Sequence, residues 1–378
     1  MAASLSQLPA VDALADVPAF GDLRPDEPQR SAFAAYRNGA ERPDELRLGC
    51  VVRLDRGFPL VVTEFGALRA EHDVFFAKKG KGVREGAGDA APRALPAVGD
   101  WVAVRCDPGH DMGVIERVLP RRTAFERWRG KSRGERQVLA ANVDVVLVVQ
   151  PLGAARDTAA LVRDRIARSL VLIADCGAEP VVVLTKADRC EAGEADAAVA
   201  DVHRLAGDGV RVVVTSSVEG EGLDGVRACV PAGTCAMILG ESGAGKSTLL
   251  NALLGHEALA TGGVRERDDA GRHTTVARTM VSLPGPCGVV ADAPGLRSLP
   301  LVGHERGLAR TFPEIVEAAR GCRFSDCTHT HEPGCAVRAA VAAGEVDELR
   351  VEAFLALAHE MRVSAQGLDP DVRASGAL

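Results

Sequence analysis

"VVVLTKADRC" (residues 181–190) and "GESGAGKST" (residues 240–248) are the two stretches whose order decides the fold. The first is an apolar strand running into Thr185, Lys186, Ala187 and Asp188, a tetrapeptide able to grip a guanine base. The second satisfies G-x-x-x-x-G-K-[ST], with the strand "CAMIL" before it and the amphipathic helix "KSTLLNALLG" after it. Ordinary GTPases place the phosphate loop first and the base-reading element last. Here the order is reversed. One sheet accommodates both orders if the chain is circularly permuted, with the old termini joined and new ones opened elsewhere.

The chemistry of each element follows from its residue types. Guanine presents donors at N1 and N2, which the Asp188 carboxylate accepts as a pair, whereas adenine offers an acceptor at N1 and leaves that carboxylate repelled. Lys186 packs its stem over the base plane, and "TSSVEG" (residues 215–220) completes the base pocket with Ser216 and Ser217. Thr185 stands where an Asn is usual and lacks the reach of an amide. In the phosphate loop, Gly240, Glu241, Ser242, Gly243, Ala244 and Gly245 turn backbone N–H groups inward at the positive end of a helix that opens with Lys246, Ser247 and Thr248. Lys246 reaches the β- and γ-phosphates and the Ser247 hydroxyl ligates Mg²⁺.

"CGVVADAPGLRSL" supplies the next element, a strand ending at Asp292, which holds Mg²⁺ through water, and Gly295, whose N–H serves the γ-phosphate. Between them lies "GRHTTVART" (residues 271–279), where Thr275 closes over Mg²⁺ and the γ-phosphate, with Thr274 as the competing choice. After Gly295 comes Leu296, which can neither donate nor accept, in place of the Gln that orients water in Ras-like enzymes. Intrinsic hydrolysis is therefore expected to be slow and to need a partner. His273 is the nearest polar candidate for the hydrolytic role.

Ten cysteines in a chain without a visible export signal argue against a disulfide framework. Seven are scattered, among them Cys50, Cys106 and Cys229, and read as small buried hydrophobes. The other three fall in "CRFSDCTHTHEPGC" and form C-x4-C-x-H-x5-C, which suits tetrahedral structural Zn²⁺. Cys322, Cys327 and Cys335 are the thiolates; spacing alone leaves His329 and His331 both open. The zinc is expected to staple a helical module with a thin core of its own.

The rest of the chain sets the frame. A net charge of −7 argues against a protein that coats nucleic acid non-specifically, and no window approaches the run of about 18 apolar residues that spans a membrane. A cytoplasmic, monomeric, membrane-free protein is the simplest expectation. Residues 1–46 read as a largely flexible extension with a short helix near residues 28–40. Residues 47–120 hold five short β runs, an OB-type barrel, with a basic loop carrying Lys78, Lys79, Lys81 and Arg84. Residues 121–140 form a basic linker in which Phe125 and Trp128 stand among Arg and Lys, a composition suited to phosphates and stacked bases. Residues 141–308 alternate β and helical patterns, an α/β GTPase domain, and residues 309–378 are a helical zinc-binding domain with a frayed tail.

This combination resembles the circularly permuted small-ribosomal-subunit assembly GTPases, the RsgA family, also called YjeQ or EngC. The likeness runs from about residue 48 to about 345 through "VGDWVAV", "LPRRTAFERW", "AANVDVVLVV", "GESGAGKSTLLNALLG", "GRHTTVA", "DAPGLRSL" and "CRFSDCTHTHEPGCAV". The resemblance implies an OB domain, a permuted GTPase and a zinc domain that dock on the 30S subunit and its rRNA late in maturation. It implies GTP hydrolysis stimulated by the subunit and coupled to release. It also assigns zinc to Cys322, Cys327, His329 and Cys335, and favours His273 for hydrolysis.

Overall fold

The computed structural model describes residues 16–54, 58–73, 95–129, 135–153, 159–258, 278–292 and 301–368. Five strands close a barrel: β1 (Leu46–Leu54), β2 (Leu60–Thr63), β3 (Gly66–His72), β4 (Trp101–Arg105) and β5 (Gly113–Val118). The ladder runs β1-β2-β3-β5-β4 and β4 returns to β1, with β3 and β5 parallel and the other pairs antiparallel. Alternation divides the side chains by face. Val51, Val61, Leu68, Val102, Val104 and Ile115 fill the barrel, while Cys50, Val52, Val62 and Trp101 face outward onto other parts of the molecule.

The hairpin β6 (Ala124–Arg129) and β7 (Glu135–Ala141) follows the barrel, so the segment expected as a linker is a two-stranded sheet. Its chemistry also departs from expectation. Arg121 forks onto the buried Asp100 at 2.7 and 2.6 Å, Arg122 pairs with Asp144 at 2.5 Å, and Phe125 is 1% exposed. Those three side chains are engaged internally, and a base cannot stack on Phe125. Trp128 is described by its backbone alone, and Lys78, Lys79, Lys81 and Arg84 lie outside the described residues.

The GTPase sheet has the order β10-β9-β8-β11-β13-β12, from β8 (Val145–Pro151), β9 (Glu179–Thr185), β10 (Arg211–Val214), β11 (Cys235–Leu239), β12 (Arg278–Ser282) and β13 (Val289–Asp292). All neighbours are parallel except β12 on β13. Strands buried on both faces read as nearly continuous apolar runs, which is why "VDVVLVV" and "VVVL" carry no alternation. Helices α2 (Ala159–Cys176) and α3 (Glu194–Ala206) pack on Val146, Val148, Val182 and Leu184. Helices α4 (Leu223–Ala228) and α5 (Lys246–Leu254) cover Leu147, Val149, Val181 and Val183. The barrel is not a separate bead, because the end of β1 pairs with β12 (Arg53 with Thr279, Leu54 with Arg278) and makes one sheet of eleven strands.

The N-terminal 46 residues also depart from a flexible extension over their described part. Helix α1 (Glu27–Asn38) starts at Asp26, whose side chain accepts the Gln29 N–H at 2.8 Å, with Pro28 in the first turn. The Gln29 amide then donates to Asn142 Oδ1 at 3.0 Å and to the Pro120 carbonyl at 3.2 Å, and Leu23 and Phe33 are buried against the barrel.

At the other end, α6 (Glu305–Thr311), α7 (Pro313–Ala319), α8 (Ala336–Ala342) and α9 (Glu348–Leu368) form the zinc-type module. Its core is thicker than expected, because Phe312, Ile315, Val351, Phe354 and Leu357 share one apolar cluster with Ile166, Leu170 and Ile173 of α2. Arg350 clamps the seam, donating to Glu314 at 2.6 Å and to the Thr311 and Leu205 carbonyls. Among the described residues no helix is long and apolar enough to cross a membrane.

Candidate nucleotide and metal sites

Strand β9 ends at Thr185, and the chain enters the left-handed region at Lys186 (φ 63°) before a short turn carries Asp188. Strand β11 ends at Leu239 and opens into the phosphate loop. Gly240 is required there by close approach, since a Cβ would sit 2.5 Å from the Val149 carbonyl oxygen. Gly245 has φ 93° and starts α5, a conformation that L side chains rarely adopt.

The two loops touch. Thr185 Oγ1 donates to the Ala244 carbonyl at 2.7 Å, and Lys186 Nζ donates to the Gly243 carbonyl at 2.7 Å. Base-reading and phosphate-reading elements thus converge although the chain visits them in reversed order. Thr185 is fully buried, and its short hydroxyl suffices because β9 brings it directly against the loop. The loss of reach expected from Thr in place of Asn is met by that proximity.

Asp188 is oriented by Ser216, whose Oγ donates to Oδ1 at 2.9 Å. Ser216 is itself buried and accepts the Glu219 N–H at 3.2 Å, so the carboxylate is held by a hydroxyl that the following loop fixes. The Ala187 N–H donates to the Thr215 carbonyl at 3.2 Å, which ties the two base-pocket loops together. Ser217 lies beside this arrangement, half-buried.

In the phosphate loop, Lys246 Nζ donates to the Gly240 and Glu241 carbonyls at 2.7 and 2.6 Å. Asp292 ends β13 opposite Ile238 of β11. Burial pushes its carboxyl above the usual carboxylate range, and the Lys246 charge pulls it back down. Ser247 and Asp292 offer the hard oxygen donors that Mg²⁺ prefers. His273, Thr274, Thr275, Gly295 and Leu296 lie outside the described residues. Arg165 of α2, which no motif marks, ion-pairs with Glu241 at 2.8 Å.

In the second site, the ligating atoms of Cys322, Cys327, His329 and Cys335 all lie within 4.8 Å of one another. Bonds of about 2.3 Å to sulfur and about 2.0 Å to nitrogen give tetrahedral edges of ~3.8 Å (S···S) and ~3.5 Å (S···N). The structure has Cys322 Sγ 3.9 Å from Cys335 Sγ, and His329 Nδ1 3.5 Å from Cys322 Sγ and 3.6 Å from Cys335 Sγ. The donor set therefore fits Zn²⁺. His329 is buried within the cluster, whereas His331 is exposed and its Nδ1 faces Thr330 Oγ1 at 2.8 Å. Glu332, not singled out from sequence, organises the loop by accepting from the Thr328, Thr330 and His331 N–H groups at 3.0, 3.1 and 3.2 Å. The Thr328 hydroxyl and these N–H groups hold its carboxyl well below the usual range.

Comparison with known proteins agrees with this geometry. A family model described as RsgA GTPase matches residues 118–302. The small ribosomal subunit biogenesis GTPase RsgA of Streptomyces coelicolor is 42% identical over 349 residues, covering 92% of this chain and 88% of that protein. Its counterpart in Opitutus terrae is 43% identical over 295 residues, covering 74% and 77%. Among solved structures, YjeQ from Thermotoga maritima superimposes with a TM-score of 0.59 at 26% identity, over 84% of this chain and 99% of that one. YloQ, a circularly permuted GTPase, gives 0.56 at 22% identity over 84% and 96%, which supports the fold. By identity sustained over nine-tenths of its length, the chain belongs to the RsgA family of GTPases.

Proposed function

We propose that this GTPase binds the 30S ribosomal subunit, assists its late maturation, and hydrolyses GTP under stimulation by the subunit, with hydrolysis coupled to release. The observation that carries the reading is the meeting of Thr185 and Lys186 with the phosphate loop, inside a chain 42% identical to a small ribosomal subunit biogenesis GTPase. Asp188 accepts from the guanine N1 and N2 positions, steadied by Ser216. Lys246 exchanges its two carbonyl partners for phosphate oxygens, a stronger charge-assisted pairing. Ser247 and Asp292 hold Mg²⁺, which when bound neutralises charge on the β- and γ-phosphates. Thr275 closes the site and His273 serves hydrolysis in place of the apolar Leu296.

Cys322, Cys327, His329 and Cys335 hold one structural zinc, which fixes the 322–335 loop beside the α2 face of the GTPase domain. The protein works in the cytoplasm as a monomer. The domain division is a barrel over 47–120, a GTPase domain over 141–308 and a zinc domain from 309, with the 121–140 hairpin between the first two.

The test is GTP turnover by the purified protein with and without 30S subunits, alongside a zinc determination. Slow turnover alone and strong stimulation by the subunit are expected. Binding of GTP without stimulation at saturating subunit would instead make it a nucleotide-sensing RNA-binding factor.

A further inference from the structure

A carboxylate is an unexpected side chain in a loop built to receive phosphates. Glu241 is the second residue of that loop, and its main chain lies next to the lysine that meets the ligand. Its carbonyl accepts Lys246 Nζ at 2.6 Å and the Ala244 N–H at 3.3 Å. Its side chain, 55% exposed, ion-pairs with Arg165 of α2 at 2.8 Å.

The fold does not need this pair. An ion pair with one partner half in solvent contributes little to stability, and α2 is already seated by the burial of Ile166, Ala167, Leu170 and Ile173. What the pair changes is the charge beside the phosphates. A Glu241 carboxylate standing alone would repel GDP, and would repel GTP more because GTP carries the greater negative charge. The cation that cancels it is held on a firm support. Arg163 of the same helix pairs with Asp201 of α3 at 3.0 Å, and Arg168, one turn beyond Arg165, pairs with Glu360 of α9. Helix α2 is thus tied to both neighbours, and the Arg165 side chain, 20% exposed, is kept against the loop.

We propose that Arg165 is a positioning residue for nucleotide binding: it draws the Glu241 side chain toward α2 and cancels its charge, so that a loop containing a carboxylate can hold a polyphosphate. This rests on the reading of residues 240–248 as the phosphate loop. The effect belongs to binding, and it is larger for GTP than for GDP.

The experiment measures the affinity of the full-length protein for fluorescent GDP and for a fluorescent, non-hydrolysable GTP analogue, with Mg²⁺, over a range of salt. Arg165→Ala should weaken the GTP analogue about fivefold at about 0.05 M salt and GDP less, and the loss should shrink below about twofold at about 0.5 M. Glu241→Gln removes the negative charge and keeps the shape, so it should tighten the GTP analogue about threefold. Arg165→Ala/Glu241→Gln restores the local charge balance and should return to within about twofold of wild type. Arg165→Lys, which keeps the charge, should lose less than Arg165→Ala. Arg204→Ala, the same change of charge in the last turn of α3, should alter neither affinity. A brace without an electrostatic role would behave differently: the loss in Arg165→Ala would persist at high salt, and Glu241→Gln would not relieve it. That result overturns the proposal, as does wild-type affinity in Arg165→Ala. Thermal melting checks that each variant is folded; if Arg165→Ala is not, Glu241→Gln carries the test, and its failure to tighten the GTP analogue overturns the proposal. Lys246→Ala keeps the two readings apart. It should abolish binding of both nucleotides, and wild-type affinity there would overturn the phosphate-loop reading together with this one, whereas the other failures overturn this one alone.

Discussion

The nucleotide cleft and the cysteine–histidine cluster both gather polar groups around a small charged guest, and they use the chain in opposite ways. The cleft draws on residues 185–188, 215–217, 240–248 and 292, brought together only by the strand order of the sheet. Its polar side chains already have partners: Lys186 on the Gly243 carbonyl, Thr185 on the Ala244 carbonyl, Lys246 on the Gly240 and Glu241 carbonyls, and Ser216 on the Asp188 carboxylate. The cluster draws on fourteen consecutive residues, 322–335, and its four donor atoms face each other. The cleft's shape therefore belongs to the sheet, and the cluster's shape belongs to its ligand set. Non-local sites tolerate loss of a ligand-binding side chain; local, ligand-built loops do not.

The largest test of that contrast is Cys322→Ser. Structural zinc binding is coupled to folding with apparent free energies on the order of 10 kcal/mol. Bound zinc should fall from about one per chain to near zero, and hydrogen-exchange protection should be lost from the 322–335 loop and α8. Protection of β8, β9 and β11 should survive, since their other face buries an apolar core under α4 and α5 in which none of the four ligands takes part. Full metal content in the variant, or collapse of the sheet with the loop, would remove the distinction.

Asp188→Asn probes the cleft side. Replacing a carboxylate by an amide exchanges an acceptor for a donor opposite guanine N1 and N2 while keeping the size of the side chain. Hydrogen bonds to charged groups contribute about 1.5–3 kcal/mol, so GTP affinity should fall roughly 10- to 100-fold. Xanthosine triphosphate, with a carbonyl at position 2, should gain in its place. The fold should be untouched, which circular dichroism and melting will show. A variant that still prefers GTP, or an ATP preference in the wild type, would remove Asp188 from the base pocket.

How much of this was legible in the sequence depends on whether the signal was local. The phosphate loop and the Cys/His spacing each sit within one short stretch, so residue type and interval sufficed for both. The five barrel runs and the parallel strands announced themselves by period and apolar content. The missed features are pairings between distant residues. Nothing at Arg53 or Leu54 marks a backbone ladder with Arg278 and Thr279, because main-chain hydrogen bonds carry no side-chain signature. Arg121 and Arg122, just before the hairpin, looked free because their neutralising partners, Asp100 and Asp144, lie outside the basic stretch. The N-terminal segment looked flexible because Leu23 and Phe33 find their apolar partners only on the folded barrel. Arg165 and Arg350 are ordinary helical arginines until the tertiary structure places Glu241, Glu314 and two carbonyls before them.

Ser216→Ala is the finest probe, and it tests whether the base pocket is preformed. The Ser216 hydroxyl donates to Asp188 at 2.9 Å and accepts from Glu219 at 3.2 Å. Its removal leaves Asp188 charged, still able to pair with guanine, but free to turn toward Arg189, whose Nε lies 3.7 Å from the other carboxylate oxygen. A single hydrogen bond of this kind contributes about 1 kcal/mol, so GTP and GDP affinity should both fall about fivefold. Guanine should remain preferred over xanthine, because the acceptor itself is intact. Equal losses for GTP and GDP are the signature of a defect at the base end, since the γ-phosphate is then uninvolved. If instead Ser216→Ala abolished binding as fully as Asp188→Asn, the cleft would depend on single contacts as the cluster does, and the sheet would not be what shapes it.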